Sequence, residues 1–262
     1  MRFAITLTAC TLTLAGCGSS GAPFKAHWQE LHAPEETVVV PEKGIQQISP
    51  RASHADSALL PQVSSAGETK KSVPATFLLD VPFTSQAPLI NWDAVHEETC
   101  EEASLLMVHR FLQGERKIIE PESAEADLLA LVRWEERNHF GFDITIGELA
   151  LIAEQYYGYT PVIEETVTVQ RIKEIIAAGN PIIIPAAGRD LGNPYFSGEG
   201  PWYHMLVIRG YDRNEFIVND PGTRRGESYE YPYDTLISAI HDWTGVKENI
   251  RSGKKRMLIL KK

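Results

Sequence analysis

The chain has 262 residues, 43% of them apolar and 23% charged, with a formal net charge of −10. That composition carries enough apolar surface for a packed core, which excludes collagen-like, coiled-coil and wholly disordered chains. The acidic balance argues against a nucleic-acid partner, because a polyanion needs a basic face to release its counterions. The one basic concentration is C-terminal, at Arg251, Lys254, Lys255, Arg256, Lys261 and Lys262. It reads as a solvated end in preference to a phosphate or lipid-headgroup patch.

In chain order, Met1-Arg2 makes a positive start and residues 3–15 form an uncharged apolar run with several threonines. The run is shorter than the ~20 residues of a membrane span and fits a secretory signal. It ends in Leu14-Ala15-Gly16-Cys17, which resembles the bacterial lipobox. That resemblance implies loss of residues 1–16 as a signal peptide and acylation of Cys17, whose chains would hold the protein on a membrane. Gly18, in place of an Asp, resembles the outer-membrane sorting pattern where two membranes are present. The expected localisation is therefore that of an exported bacterial lipoprotein of the cell envelope. Of the three cysteines, Cys10 leaves with the signal and Cys17 is lipidated, so Cys100 remains as one free thiol.

Residues 17–75 read as the lipidated cysteine and a disordered tether. Pro23, Pro34, Pro41, Pro50, Pro61 and Pro74 punctuate it and no helical or strand period persists. As a flexible coil it would reach roughly 40 Å. Residues 76–262 have the apolar density of one compact domain.

Within that domain a short strand is expected at Phe77–Pro82. A helix follows from Thr99 to Gln113, with Thr99 and Glu102 as a capping box. A second runs from Ser123 to about Arg137. A third starts at the capping box Thr145/Glu148 and ends before Gly158, and a fourth spans Val169–Ala178. Strand-length apolar runs come next at Ile182–Pro185, Met205–Ile208, Phe216–Val218 and Met257–Leu260. Asp234 is expected to cap a last helix through Trp243. Helices first and strands after imply an α+β fold with the helices packed on an antiparallel sheet.

Chemistry is expected at the start of the Thr99 helix. There Cys100 meets unpaired N–H groups and the positive end of the macrodipole, which lower a thiol pKa below the ~8.5 of free cysteine. Glu97, Glu98, Glu101 and Glu102 oppose this, because like charge disfavours a thiolate. A base is needed. Among eight histidines, His27, His32 and His54 fall in the tether, His109 lies two and a half turns along the helix, and His139 and His241 sit near helix ends. His96 could approach the thiol from the preceding loop. His204 is the best candidate, opening the run His204–Ile208 before a turn at Asp212. Pairing about that turn puts 208 opposite 216, 206 opposite 218 and 204 opposite 220, so Asp220 would orient the imidazole. A slip of one residue would substitute Asn219.

Four blocks then carry a family resemblance: Leu79-Asp-Val-Pro-Phe-Thr-Ser-Gln86; Cys100-Glu-Glu-Ala-Ser104; Tyr203-His204 with Val207-Ile-Arg-Gly-Tyr-Asp212; and Val218-Asn-Asp-Pro-Gly222. Together, over about residues 77–245, they resemble stand-alone relatives of the double-glycine bacteriocin-leader peptidases, which are papain-like cysteine peptidases. The resemblance implies a papain-like α+β fold, Cys100 as nucleophile, His204 as base, Asp220 as orienting residue and Gln86 as oxyanion donor. Two departures stand out: fourteen residues separate Gln86 from Cys100, with Asn91-Trp92 between, and Glu101 stands where many relatives have Gly.

The glycine- and aromatic-bearing stretch from Ala187 to Tyr203 is placed to cover substrate or to pack on itself. No zinc-ligand spacing and no phosphate loop is present in the sequence, so neither a metal nor a cofactor is expected. The expected activity is a thiol hydrolase acting on a peptide or isopeptide bond of a peptide or protein substrate, through a thioester. The alternatives are an acyltransferase or amidase on cell-wall peptide with the same triad, and a non-catalytic binding module on the same scaffold.

Overall fold

The computed structural model describes residues 73–262. The signal run, Cys17 and the tether through residue 72 lie outside the described residues, while at its end Val73 packs on the core and the Pro74 carbonyl accepts the Tyr211 hydroxyl. A two-residue strand, β1 (Phe77–Leu78), leads through a long loop into three helices: α1 (Cys100–Leu112), α2 (Pro121–Arg137) and α3 (Ile146–Tyr157). Then come β2 (Thr160–Glu164), α4 (Val169–Ala177), β3 (Ile182–Ala187), β4 (Tyr203–Tyr211), β5 (Glu215–Asn219), β6 (Tyr229–Pro232), α5 (Tyr233–Ala239) and β7 (Met257–Lys261). The architecture is α+β, as the order of apolar periods implied.

Local chemistry explains most boundaries. At α3 the Thr145 hydroxyl accepts from the Glu148 N–H (3.1 Å) while the Glu148 carboxylate accepts from the Thr145 N–H (2.7 Å), and Gly158 closes the helix at φ 76°. α4 is capped by Thr168, which accepts from the Arg171 N–H. α2 starts two residues before Ser123, because Pro121 fits the first helical position, where no N–H is needed. The capping box expected at Thr99 does not form. Its hydroxyl donates to the Gln86 carbonyl at 3.0 Å, and Glu102 is buried. Asp234 is not a cap either: Pro232 precedes α5, which ends before Trp243.

The sheet runs β2-β7-β3-β4-β5-β6, all antiparallel, and β1 pairs with β4 beyond the end of β3. β3 and β4 are buried along their whole length, so both faces are covered: β3 reads as an unbroken apolar run, and β4 carries one at Met205–Ile208 between His204 and Arg209. α1 packs on β4 and β3, with Leu105, Met107, Leu206 and Val207 in the common core. The two strands not foreseen, β2 and β6, lie at the sheet edges, where short, proline-bearing strands are tolerated.

The β4–β5 register differs from expectation by two residues: Ile208 faces Val218 and Val207 faces Asn219, with a bulge before Gly210. A shift of two preserves the face each side chain occupies. His204 and Asp220 are therefore diagonal neighbours on one face instead of direct partners. Gly210 has no room for a side chain, since a Cβ there would lie 2.7 Å from the Phe77 carbonyl oxygen of β1.

Candidate active site

Cys100 opens α1 and is nearly buried. The sulfur accepts a hydrogen bond from the Met205 N–H at 3.3 Å, so β4 delivers the backbone next to His204 directly to Sγ. His204 is 1% exposed and Asp220 fully buried. The imidazole Nε2 lies 2.7 Å from Asp220 Oδ1. The same oxygen accepts the Gly222 N–H at 3.0 Å, and Oδ2 accepts from the Tyr231 hydroxyl (2.7 Å) and the Asn193 amide (3.1 Å). Burial alone would raise the Asp220 pKa. The imidazole, the Tyr231 hydroxyl and the Gly222 N–H outweigh it and hold the carboxyl below its ordinary value. Tyr231 pays the converse cost and is pushed far up, by burial first and then by the Asp220 charge.

Asn219 is occupied elsewhere. Its amide donates to the carbonyls of Val81 and Pro82 (3.1 Å each), and its oxygen accepts from the Ser228 N–H. This places Asp220, and not Asn219, against the imidazole. Three residues around the pair were not foreseen. Phe196 sets its ring edge-on to His204 with centroids 5.3 Å apart, and Asn193 and Tyr231 hold the far carboxylate oxygen. Asn193 and Phe196 come from the glycine- and aromatic-bearing stretch between Ala187 and Tyr203. Tyr231 came from a strand too short and polar to stand out.

Gln86 is tied to both halves of the site. Its N–H donates to the Pro221 carbonyl (2.9 Å), and its own carbonyl accepts the Thr99 hydroxyl. The side-chain amide donates to the His96 carbonyl at 2.8 Å, while Oε1 is buried without a partner. The fourteen-residue separation is thus absorbed by a loop that returns Gln86 to the start of α1. Ile90 in that loop has φ 65°, and Leu89, Ile90 and Trp92 are exposed. His96 does not serve the thiol. Its Nδ1 meets Asp93 Oδ1 (2.8 Å) and its Nε2 meets Glu125 Oε2 (3.0 Å), which pins the loop to α2. His109 stacks on Tyr157.

The thiol pKa moves opposite to the helix-start expectation. Burial, then the charge of Glu101 and the hydrogen bond to it, push Cys100 well above its ordinary value. Sγ donates to Glu101 Oε2 at 2.8 Å. Glu101, Glu102 and Glu135 are all buried, and burial followed by their mutual repulsion or neighbouring charge raises their carboxyl groups. Desolvation and like charge therefore outweigh the macrodipole, whose effect at a helix end is ~0.3–1 kcal/mol at exposed sites. The C-terminal cations are dispersed: Arg251 pairs with Asp190, Arg256 with Glu165 and Asp242, and Lys255 donates to carbonyls at the end of α5. They form no single anion patch.

A solved structure from Bacillus anthracis, described as that of a C39-like peptidase, is similar at a TM-score of 0.49 and 15% identity, covering 71% of this chain and 98% of that one. No curated protein matches. The profile of the Peptidase_C39 like family matches residues 78–249, a span that takes in the Gln86 loop, α1, the strand bearing His204 and Asp220 just past the end of β5. On that match, which extends over well more than half of its length, the chain belongs to the C39-like family of peptidases.

Proposed function

We propose that this protein is an exported, membrane-tethered thiol hydrolase that cleaves a peptide or isopeptide bond with Cys100, His204 and Asp220. The observation that carries the reading is the join at β4. One strand presents the imidazole paired with a buried carboxylate, and its next residue's N–H bonds to the cysteine sulfur. Because Asp220 takes Nε2, the nitrogen left for the thiol proton is Nδ1. In the proposed step the Sγ proton passes to Nδ1 as sulfur attacks the carbonyl carbon, whose oxygen takes up the negative charge. The imidazolium then protonates the departing amine, the C–N bond breaks, and a thioester remains for water to hydrolyse. The Gln86 amide and the Cys100 N–H are the donors proposed for the oxyanion.

The contact between the thiol and Glu101 favours a second reading, a binding module with idle chemistry. A peptide-like electrophile separates the two. Mass spectrometry should find a covalent adduct on Cys100 that is absent from Cys100→Ala; no adduct would favour the binding module. Product analysis with and without an amine acceptor distinguishes hydrolysis from acyl transfer. The tether is proposed from Cys17 and the apolar run before it. Cys17→Ser made in a bacterium should leave the detergent phase for the aqueous one, and retention on the membrane would sink the anchor.

A further inference from the structure

Glu101 touches the reacting atom. Its Oε2 lies 2.8 Å from Cys100 Sγ, its side chain is 1% exposed, and Oε1 is buried with no hydrogen-bond partner. No cation is in contact with it among the described residues. The charged and titratable groups that face it are Cys100 and Glu102 from α1, Glu135 from α2, Asp143 from the loop before α3 and Tyr203 from β4. A carboxylate and a thiolate this close in a dry site cannot both persist, for the same reason that paired carboxylates share one proton.

We propose that Glu101 is a further proton-holding residue of the site: as a carboxylate it keeps the proton on Cys100, and the sulfur ionises against His204 only when Glu101 is itself protonated. The inference rests on the reading of Cys100 as the nucleophile. The exchange balances simply. One proton from solvent forms the O–H bond on Glu101, and the S–H proton moves to His204 Nδ1, leaving thiolate, imidazolium and neutral acid. The burial that raises the Glu101 and Cys100 pKa values supports the arrangement, because it makes the doubly anionic state more costly still.

The test is iodoacetamide alkylation of Cys100 in the full-length protein, followed by peptide mass mapping from acid to alkaline pH. The wild-type rate should be high on the acid side, fall as Glu101 ionises, and recover only above the ~8.5 of a free thiol. Glu101→Gln keeps the side-chain volume and should replace that dip by a plateau, with a rate at neutral pH at least ~10-fold above wild type, the equivalent of one pKa unit. Glu102→Gln, which leaves the sulfur contact in place, should retain the dip. Superimposable wild-type and Glu101→Gln profiles would overturn the proposal. Should Glu101→Gln fail to melt cooperatively, the wild-type curve decides alone, since a single rise with pH and no acid-side maximum would equally overturn it. The peptidase reading fails separately: the dip can be present while no substrate adduct forms on Cys100, or the adduct can form while Glu101→Gln changes nothing.

Discussion

Asp220 makes four hydrogen bonds with two oxygens, and only one of them goes to His204. On the proposed mechanism Cys100→Ala and His204→Ala should each abolish turnover and leave the circular dichroism spectrum unchanged. Asp220→Asn should be milder than Asp220→Ala, because an amide oxygen can still accept from the imidazole; equal losses would mean that the carboxylate charge, not its geometry, is what matters. Gln86→Ala should lower kcat by roughly 10²-fold, the usual cost of one oxyanion donor, and lower stability by about 1–3 kcal/mol as the buried His96 carbonyl loses its donor. Unchanged turnover would move that role to the Cys100 N–H alone. Cys100, His204, Asp220 and Gln86 were all legible as residue types at suggestive positions; in the structure Cys100 opens α1, His204 lies on β4, Asp220 follows β5 and Gln86 lies in the loop before α1. The reason Asp220 prevails over Asn219 was not legible, because it depends on Val81 and Pro82 claiming the asparagine amide across 138 and 137 residues of chain. The rise in the thiol pKa was half legible. The glutamates were visible in the sequence, but their burial, which decides the sign, was not.

Between elements, the decisive feature is how the end of β5 meets β4. Gly222 lies over the imidazole, where a Cβ would stand 2.9 Å from His204 Cε1 and equally close to Phe196. Gly222→Ala should therefore displace the ring or its aromatic neighbour and lower turnover by roughly 10²-fold, the cost expected of a misplacement near 1 Å, while far-ultraviolet dichroism stays intact. Wild-type turnover would show that the loop yields. Helices with a capping box or a terminal glycine were read from sequence within two residues, since those signals are local. The hairpin register was not, because the bulge before Gly210 answers to β1, far away in sequence. β2 and β6 escaped for a related reason: edge strands need only one partner, so their apolar pattern is weak.

At the scale of the whole molecule, buried carboxyl groups set the pH window of the fold in opposite senses. Glu101, Glu102 and Glu135 are raised, so their contribution to stability is complete below the ~4.3 of an exposed glutamate and is lost as pH rises through their folded values. Asp220 is lowered, so its contribution is present above the ~3.9 of a free aspartate and is lost as pH falls through its folded value. Glu135 and Glu102 share a side-chain hydrogen bond, and Glu135→Gln can keep it without a titrating proton on residue 135. It should raise the melting temperature at alkaline pH by roughly 2–4 °C for each kcal/mol relieved and flatten the fall above neutrality; calorimetry across pH would detect the failure of either effect. Among the contacts between the helical layer and the sheet is the amide of Met205, whose N–H ends on the cysteine sulfur. That amide is a natural reporter for magnetic resonance. Its proton resonance should move downfield when sulfur becomes anionic and collapse towards an ordinary strand value when Cys100 is replaced by alanine. One isotope-labelled methionine thus lets the charge on the nucleophile be followed without substrate, inhibitor or turnover.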